Sequence, residues 1–187
     1  MYQLSDFKRG MKVLFENEPF SVVDFQHVKP GKGNQFTRCR FRNLLTGQNR
    51  DFTFKQGEKF GVPDLVVTEM TFLYKDDSGF NFMDQTNFEQ IALSEEEVGD
   101  SKNYLLENLE CVIMNFNGKP IAVDVPNAVN LKVKVTDPNF KGNTVTGATK
   151  PATLETGHVV QVPMHINEGD VLRVDTRTGE YVERVNK

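Results

Sequence analysis

A chain of 187 residues is long for one small domain and fits two or three compact modules. Its composition, 38% hydrophobic and 26% charged, excludes intrinsic disorder, and no segment approaches the ~20 apolar residues of a membrane span. The net charge of −4 argues against a nucleic-acid binder until it is read by segment, because residues 1–63 hold eleven basic against six acidic side chains, 64–127 three against thirteen, and 128–187 eight against seven. Local field rather than net charge steers binding to phosphate, so a basic first third on an acidic chain suggests docking in one orientation.

The N-terminal MYQLSDFKRGMKVLF places Asp6, Lys8 and Arg9 where a secretory signal needs an apolar run, so the chain is expected in the cytoplasm. EPFSVVDFQHV then reads as a strand rising to Pro30, and FTRCRFRNL as a strand returning. Between them KPGKGNQF holds Lys32 between Gly31 and Gly33, and these glycines supply the dihedral freedom of a tight connection. Lys32 thus sits at the tip of a hairpin, where it offers charge, three donors and reach rather than a general base. In the returning strand side chains alternate. Arg38, Arg40 and Arg42 share one face at ~7 Å intervals, close to the spacing of phosphates along a nucleic-acid strand, while Thr37, Cys39 and Phe41 share the other. No acid falls between Asp24 and Asp51, a stretch containing Lys29, Lys32, Arg38, Arg40, Arg42 and Arg50. The apolar face is expected to pack inward and the basic face to meet RNA.

Further along, DFTFK, LVVTEMTFLY, FNFM, ECVIMNF, PIAVDV, NLKVKV, HVVQV, DVLRVD and EYVERV repeat the pattern of short strands. Ser78-Gly79, Asn117-Gly118 and Thr178-Gly179 sit between such runs as hairpin turns do. Helical signals are local: TNFEQIAL at 86–93 and SKNYLLENL at 101–109, the second with Ser101 as N-cap, each suit a few turns, and the acidic run Ser94 to Glu97 caps or solvates the region between. Proline after a strand-like run, together with a change in charge, places boundaries at Pro63-Asp64 and Pro126-Asn127. The modules are then 1–63, 64–127 and 128–187. Modules of this size have thin cores, so closed barrels that leave no sheet edge are economical, and the expected fold class is all-β with three small barrels.

No catalytic constellation accompanies these strands. His27, His158 and His165 are the only histidines, none in an H-E-x-x-H or H-x-H spacing, and no G-x-S-x-G elbow occurs. Cys39 and Cys111 lie far apart and outside any C-x-x-C pattern, which reads as two buried thiols with no disulfide framework and no zinc. GNTVTGATK at 142–150 approximates the phosphate-binding G-x-x-x-x-G-K-[ST], but Ala148 replaces the lysine and Pro151 follows where a helix N-terminus should aim its amides. As a polar loop, Gly142, Asn143, Thr144, Thr146 and Gly147 offer amides and hydroxyls to an RNA backbone. Fifteen phenylalanines without tryptophan read as barrel core. The expectation is a binding protein without metal or cofactor, not an enzyme.

HVKPGKG followed by F-x-R-x-R-x-RNLLTG in the first third, with TDPNFKGNTVTGATKPATLETGHVVQVP and INEGDVLRVDTRTGEYVERV in the last, resembles the bacterial elongation factor P family from end to end. The resemblance implies an SH3-like (KOW-like) barrel followed by two OB-fold barrels in an elongated, L-shaped, tRNA-like arrangement. It also implies a monomeric cytoplasmic factor, without membrane contact, that binds both ribosomal subunits between the P and E sites and relieves stalling at consecutive prolines by positioning peptidyl-tRNA. By motif, Lys32 is the family's modified lysine, extended by a β-lysyl-type group that a separate modifying enzyme attaches, and reaching the acceptor end of the P-site tRNA. Pro30, Gly31 and Gly33 build its loop, and Lys29, Arg38, Arg40 and Arg42 lie where the first domain faces tRNA and ribosomal RNA. The loop Gly142 to Gly147 matches the one that approaches the small subunit and the E-site codon. Two departures stand out: Asn143 replaces the relatives' usual aspartate, and Asn34-Gln35 replace small residues before Phe36. The competing reading is a general OB-fold binder of single-stranded RNA, against which the acidic middle third argues by denying a continuous basic groove.

Overall fold

Nine of the fifteen phenylalanines fall within residues 1–63. In the computed structural model, which describes residues 1–138 and 147–185, all of these nine but Phe36 pack into one core with Leu4, Val13, Val22 and Cys39. The strands around that core are β1 (Tyr2–Gln3), β2 (Lys12–Phe15), β3 (Glu18–Val28), β4 (Phe36–Asn43), β5 (Asn49–Lys55) and β6 (Lys59–Phe60). β2-β3-β4-β5 form an antiparallel sheet, and β1 pairs with β6. Alternation decides the faces: Thr37, Cys39, Phe41 and Asn43 of β4 are buried while Arg38, Arg40 and Arg42 are exposed. The described residues divide into two compact units, 1–67 with 114–122 and 68–113 with 123 onward.

Asn43 closes the far end of the β4 hairpin. Its side chain has no exposed surface. Oδ1 accepts from the backbone N–H groups of Leu45 at 2.8 Å and Thr46 at 3.1 Å, and Nδ2 donates to Glu18 Oε2 at 2.7 Å. One side chain therefore holds the turn into β5 and ties it to the start of β3.

Beyond β6 come β7 (Leu65–Asp76), β8 (Gly79–Asp84), β9 (Gln90–Leu93), a four-residue helix α1 (Glu95–Val98), β10 (Glu110–Phe116) and β11 (Lys119–Asp124), with sheet order β11-β10-β7-β8-β9. The last strands are β12 (Ala128–Thr136), β13 (Thr149–Leu154), β14 (Val159–Pro163), β15 (Val171–Asp175) and β16 (Glu180–Arg184), ordered β14-β13-β12-β15-β16. The second unit holds two cores, one around Phe72, Phe82 and Ile113 and the other around Leu131, Leu154, Ile166 and Leu172. Tyr104 belongs to the second of these, and Leu109 and Val125 pack against both. The hydroxyls of Thr156 and Thr176 donate to the carbonyls of Asn103 and Pro126, each at 2.6 Å.

Two helical expectations are overturned. TNFEQIAL forms a turn and then β9, because Asp84 Oδ1 accepts from Thr86 and Asn87 N–H and Phe88 takes φ 62°. The only α-helix among the described residues is the acidic run itself, with Ser94 as N-cap and Glu97 completing a capping box. SKNYLLENL contributes only the end of a 3-10 helix, Gly99–Asn103, and Ser101 Oγ donates to the Val123 carbonyl instead of capping. The hairpin turns stand as expected. At one of them Gly79 takes φ 120°, and a Cβ there would lie 2.2 Å from the Leu93 carbonyl oxygen, so no other residue fits.

Replacing Asn43 with alanine removes the acceptor of two turn N–H groups and one of the donors to Glu18. The expected loss is about 2 kcal/mol in urea unfolding, at an unchanged m-value.

Candidate nucleic-acid interface

The β3–β4 pairing ends at Val28↔Phe36, and all seven residues between, Lys29 to Gln35, are exposed. Gly33 takes φ 124°, and its Cα side approaches the Pro30 ring, where a Cβ would sit 3.8 Å from Cγ. Pro30 and Gly33 thus lie near one another on either side of Lys32. Gly31 has no positive φ and open space where a Cβ would go, so the dihedral freedom expected of both glycines is used only at Gly33. What Gly31 contributes is absence of bulk beside Lys32. Below the loop, Leu4, His27, Val28, Lys29, Phe36 and Thr37 line a groove of about 430 Å³. His27 Nδ1 lies 2.8 Å from the buried Thr37 hydroxyl, which fixes the ring at the loop base.

Behind the tip the three arginines share an exposed face, but they are not equivalent. The Arg38 guanidinium lies 5.6 Å from the Phe36 ring centroid. Arg42 runs along the Gly47 turn, its Nη2 3.9 Å from where a Cβ on that glycine would be. Arg40 grips Asp51 with Nε at 2.8 Å and Nη2 at 3.1 Å. Arg9 holds Asp24 on the next strand at 2.8 Å, and Arg50 lies 3.6 Å from Glu18. The acid-free stretch of sequence is thus bounded by two aspartates that folding returns to its middle. Sequence reasoning missed Arg9, Asp24 and Asp51; the signal was the hairpin register, which puts the bounding acids opposite Arg40.

Electrostatics follow this pairing. The Arg40 hydrogen bonds hold the Asp51 carboxyl below its ordinary value, and those of Arg9 do the same for Asp24. Burial pushes the Cys39 thiol up to about 12 and that of Cys111 to about 11, so both are inert, buried and unpaired, as expected. Among the described residues no group of three or more His, Cys, Asp or Glu side chains is placed to hold a metal ion. No helix among them is long and apolar enough to cross a membrane.

Of the C-terminal loop residues, Gly142, Asn143, Thr144 and Thr146 lie outside the described residues. Gly147 takes φ 90°. The chain then enters β13 rather than the helix a phosphate-binding loop requires, and Pro151 pairs with Gln161 in that strand. Lys150 is a residue that sequence reasoning did not single out as buried: it is 4% exposed, and its ammonium donates to the Asp137 carbonyl. It ties β13 to the chain just beyond β12.

Family models for elongation factor P cover the chain: its KOW-like domain matches residues 3–60, its OB domain 65–123 and its C-terminal region 129–184. The chain belongs to the elongation factor P family. It is 65% identical to Elongation factor P of Bdellovibrio bacteriovorus over 187 residues, the whole of both chains. With the protein of that name from Wolinella succinogenes it shares 48% identity over 184 residues, 98% of each chain. Among solved structures, eukaryotic translation initiation factor 5A from Methanococcus jannaschii superposes with a TM-score of 0.53 at 19% identity, covering 67% of this chain and 90% of that one. That likeness is one of fold. The chain is therefore predominantly β, with KOW-like and OB domains, and it is a translation elongation factor rather than an enzyme.

A carboxyl held low by the fold stabilises the folded state above its ordinary value of 3.8, and that contribution fades as pH falls below it. Carboxyl-carbon NMR titration is expected to place the Asp51 midpoint below 3.8, and Arg40→Ala to return it upward; an identical midpoint in both proteins would show that the pair does not persist in solution.

Proposed function

We propose that the chain binds the ribosome between the P and E sites, touching both subunits, and stimulates peptide-bond formation at consecutive prolines by positioning the peptidyl-tRNA. The observation that carries this reading is an exposed lysine at a narrow glycine-flanked tip, backed by a strand with an arginine face, in a member of a translation factor family. Such a tip enters a confined RNA site with one side chain and leaves the anchoring to the strand behind it. Proline is a poor acceptor because its ring constrains the attacking nitrogen. A factor that supplies no acid or base still accelerates such a step by holding the tRNA end in place, since orientation is worth several kcal/mol.

In this reading Lys32 carries a β-lysyl-type extension, attached by a separate modifying enzyme, and Pro30, Gly31 and Gly33 hold it clear of the barrel. Lys29, Arg38 and Arg42 meet tRNA and ribosomal RNA phosphates, with Arg40 on the same face of β4. The modules 1–63, 64–127 and 128–187 act as one cytoplasmic monomer, and the loop from Gly142 to Gly147 approaches the small subunit. No cofactor is invoked.

Lys32→Ala is expected to keep ribosome binding in a pelleting assay yet to lose at least about tenfold in rescue of a polyproline reporter, equivalent to ~1.4 kcal/mol of lost positioning. Undiminished rescue would refute the positioning role. Equally tight binding of free single-stranded RNA would favour a general RNA binder instead. Intact mass of protein purified from its native host, mapped to Lys32, is expected to show the added group, and an unmodified peptide would sink the extension.

A further inference from the structure

Direct cross-strand neighbours in an antiparallel sheet point to the same face. On the outer face of β3-β4-β5 the pairing sets three rows: Gln26–Arg38–Thr53, Asp24–Arg40–Asp51 and Ser21–Arg42–Asn49. Only the middle row contains acids, and it contains two. Asp24 reaches that row because the register of β3 shifts by one residue between Val22 and Asp24. Without the shift, the residue opposite Arg40 would be Val23, and Asp24 would fall opposite Cys39 on the buried face. The bulge therefore turns Asp24 to the outer face, and re-aiming a side chain is the usual use of a bulge.

The contacts are of the directional kind. Arg40 presents Nε and Nη2 to the two oxygens of Asp51, a fork-to-fork pair that occupies the same edge a phosphate would use. Asp24 is itself held by Nε and Nη2 of Arg9, at 3.0 and 2.8 Å. Arg38 and Arg42, one row to either side, have no acid opposite them.

We propose that Asp51, backed by Asp24, withholds Arg40 from phosphate, so that this face neutralises two phosphates of an RNA strand rather than three. The inference rests on the reading that this face meets RNA. Sequence-independent binding grows with the number of phosphates neutralised, so removing one weakens adventitious RNA binding while a surface shaped to engage the tip as well still binds. Asp51 is then a specificity-determining residue that touches no RNA.

The test uses the full chain and a mixed-sequence single-stranded oligoribonucleotide, with affinity measured across a salt series. One further phosphate contact contributes a slope of about 0.7 on single strands, which is about fivefold at ~0.1 M salt. Asp51→Asn is expected to tighten binding by about that factor and to steepen the salt slope by ~0.7. In an Arg40→Ala background the same change should leave the slope where it was, because no guanidinium is released. An unchanged slope in the single variant, or an equal steepening with and without Arg40, would overturn the inference. The paired variant Arg38→Ala/Arg42→Ala separates the two levels. If it leaves RNA binding unaltered, the RNA-facing reading of the strand fails; if it weakens binding while Asp51→Asn does nothing, only the role of Asp51 fails.

Discussion

Phe41 has no exposed surface and meets the rings of Phe7, Phe20, Phe52, Phe54 and Phe60 at centroid distances of 5.5 to 6.2 Å. A one-residue slip of β4 would therefore turn Arg40 and Arg42 into that cluster and Phe41 out of it. Burying unpaired guanidinium groups among phenylalanines is far more costly than any hydrogen bond regained elsewhere, so the register is strongly specified. Everything the hairpin shows to solvent is a consequence: the arginine row, the position of Asp51 opposite it, and the direction in which the loop leaves the barrel. The inertness of Cys39 has the same origin, since its thiol shares the buried face with Phe41.

The two ends of that hairpin are treated differently. At the Asn43 end, one side chain saturates the turn and couples it to β3. At the Lys32 end, none of the seven connecting residues is buried, and the last paired groups are Val28↔Phe36 and the His27–Thr37 contact. Segments with few buried contacts open at little cost. A stiff base with a thin, yielding end suits the positioning role proposed above for Lys32.

Much of this was legible in the amino-acid sequence, for identifiable reasons. β3 and β10 coincide with the segments read from composition, because each combines β-branched and aromatic content with clean turn residues on both sides. The two faces of β4 followed from period-two alternation alone. β13 escaped because its inward positions are Lys150, Ala152 and Leu154 and its outward ones include Pro151, so neither propensity nor alternation marks it. TNFEQIAL misled because an aspartate just outside the segment, Asp84, captures its first N–H groups as a turn. At the site, the arginines were visible as a pattern, whereas their inequivalence was not. Which of three like side chains meets a carboxylate depends on register and on a bulge in a neighbouring strand, and both are tertiary facts.

Four of the thirteen acids in residues 64–127 have a local explanation that also bears on docking. Asp76 accepts from the Ser78 N–H in the β7–β8 turn, Asp84 organises the next turn, and Glu97 completes the box at Ser94. Glu95 lies at the same helix start, where negative charge is favoured by the aligned peptide dipoles, and pairs with Lys102. These carboxylates are placed by turn and cap chemistry and need no ligand to account for them. Their summed charge nevertheless repels phosphate that comes within a screening length of ~8–10 Å, which leaves the first third of the chain as the stretch of clear positive excess. Within that stretch, the row of β4 nearest neutrality is the one closed by Asp24 and Asp51. Positive charge with no acid opposite it is thus concentrated at Arg38 and Arg42 and at the lysine-bearing tip, the surface proposed above to meet RNA.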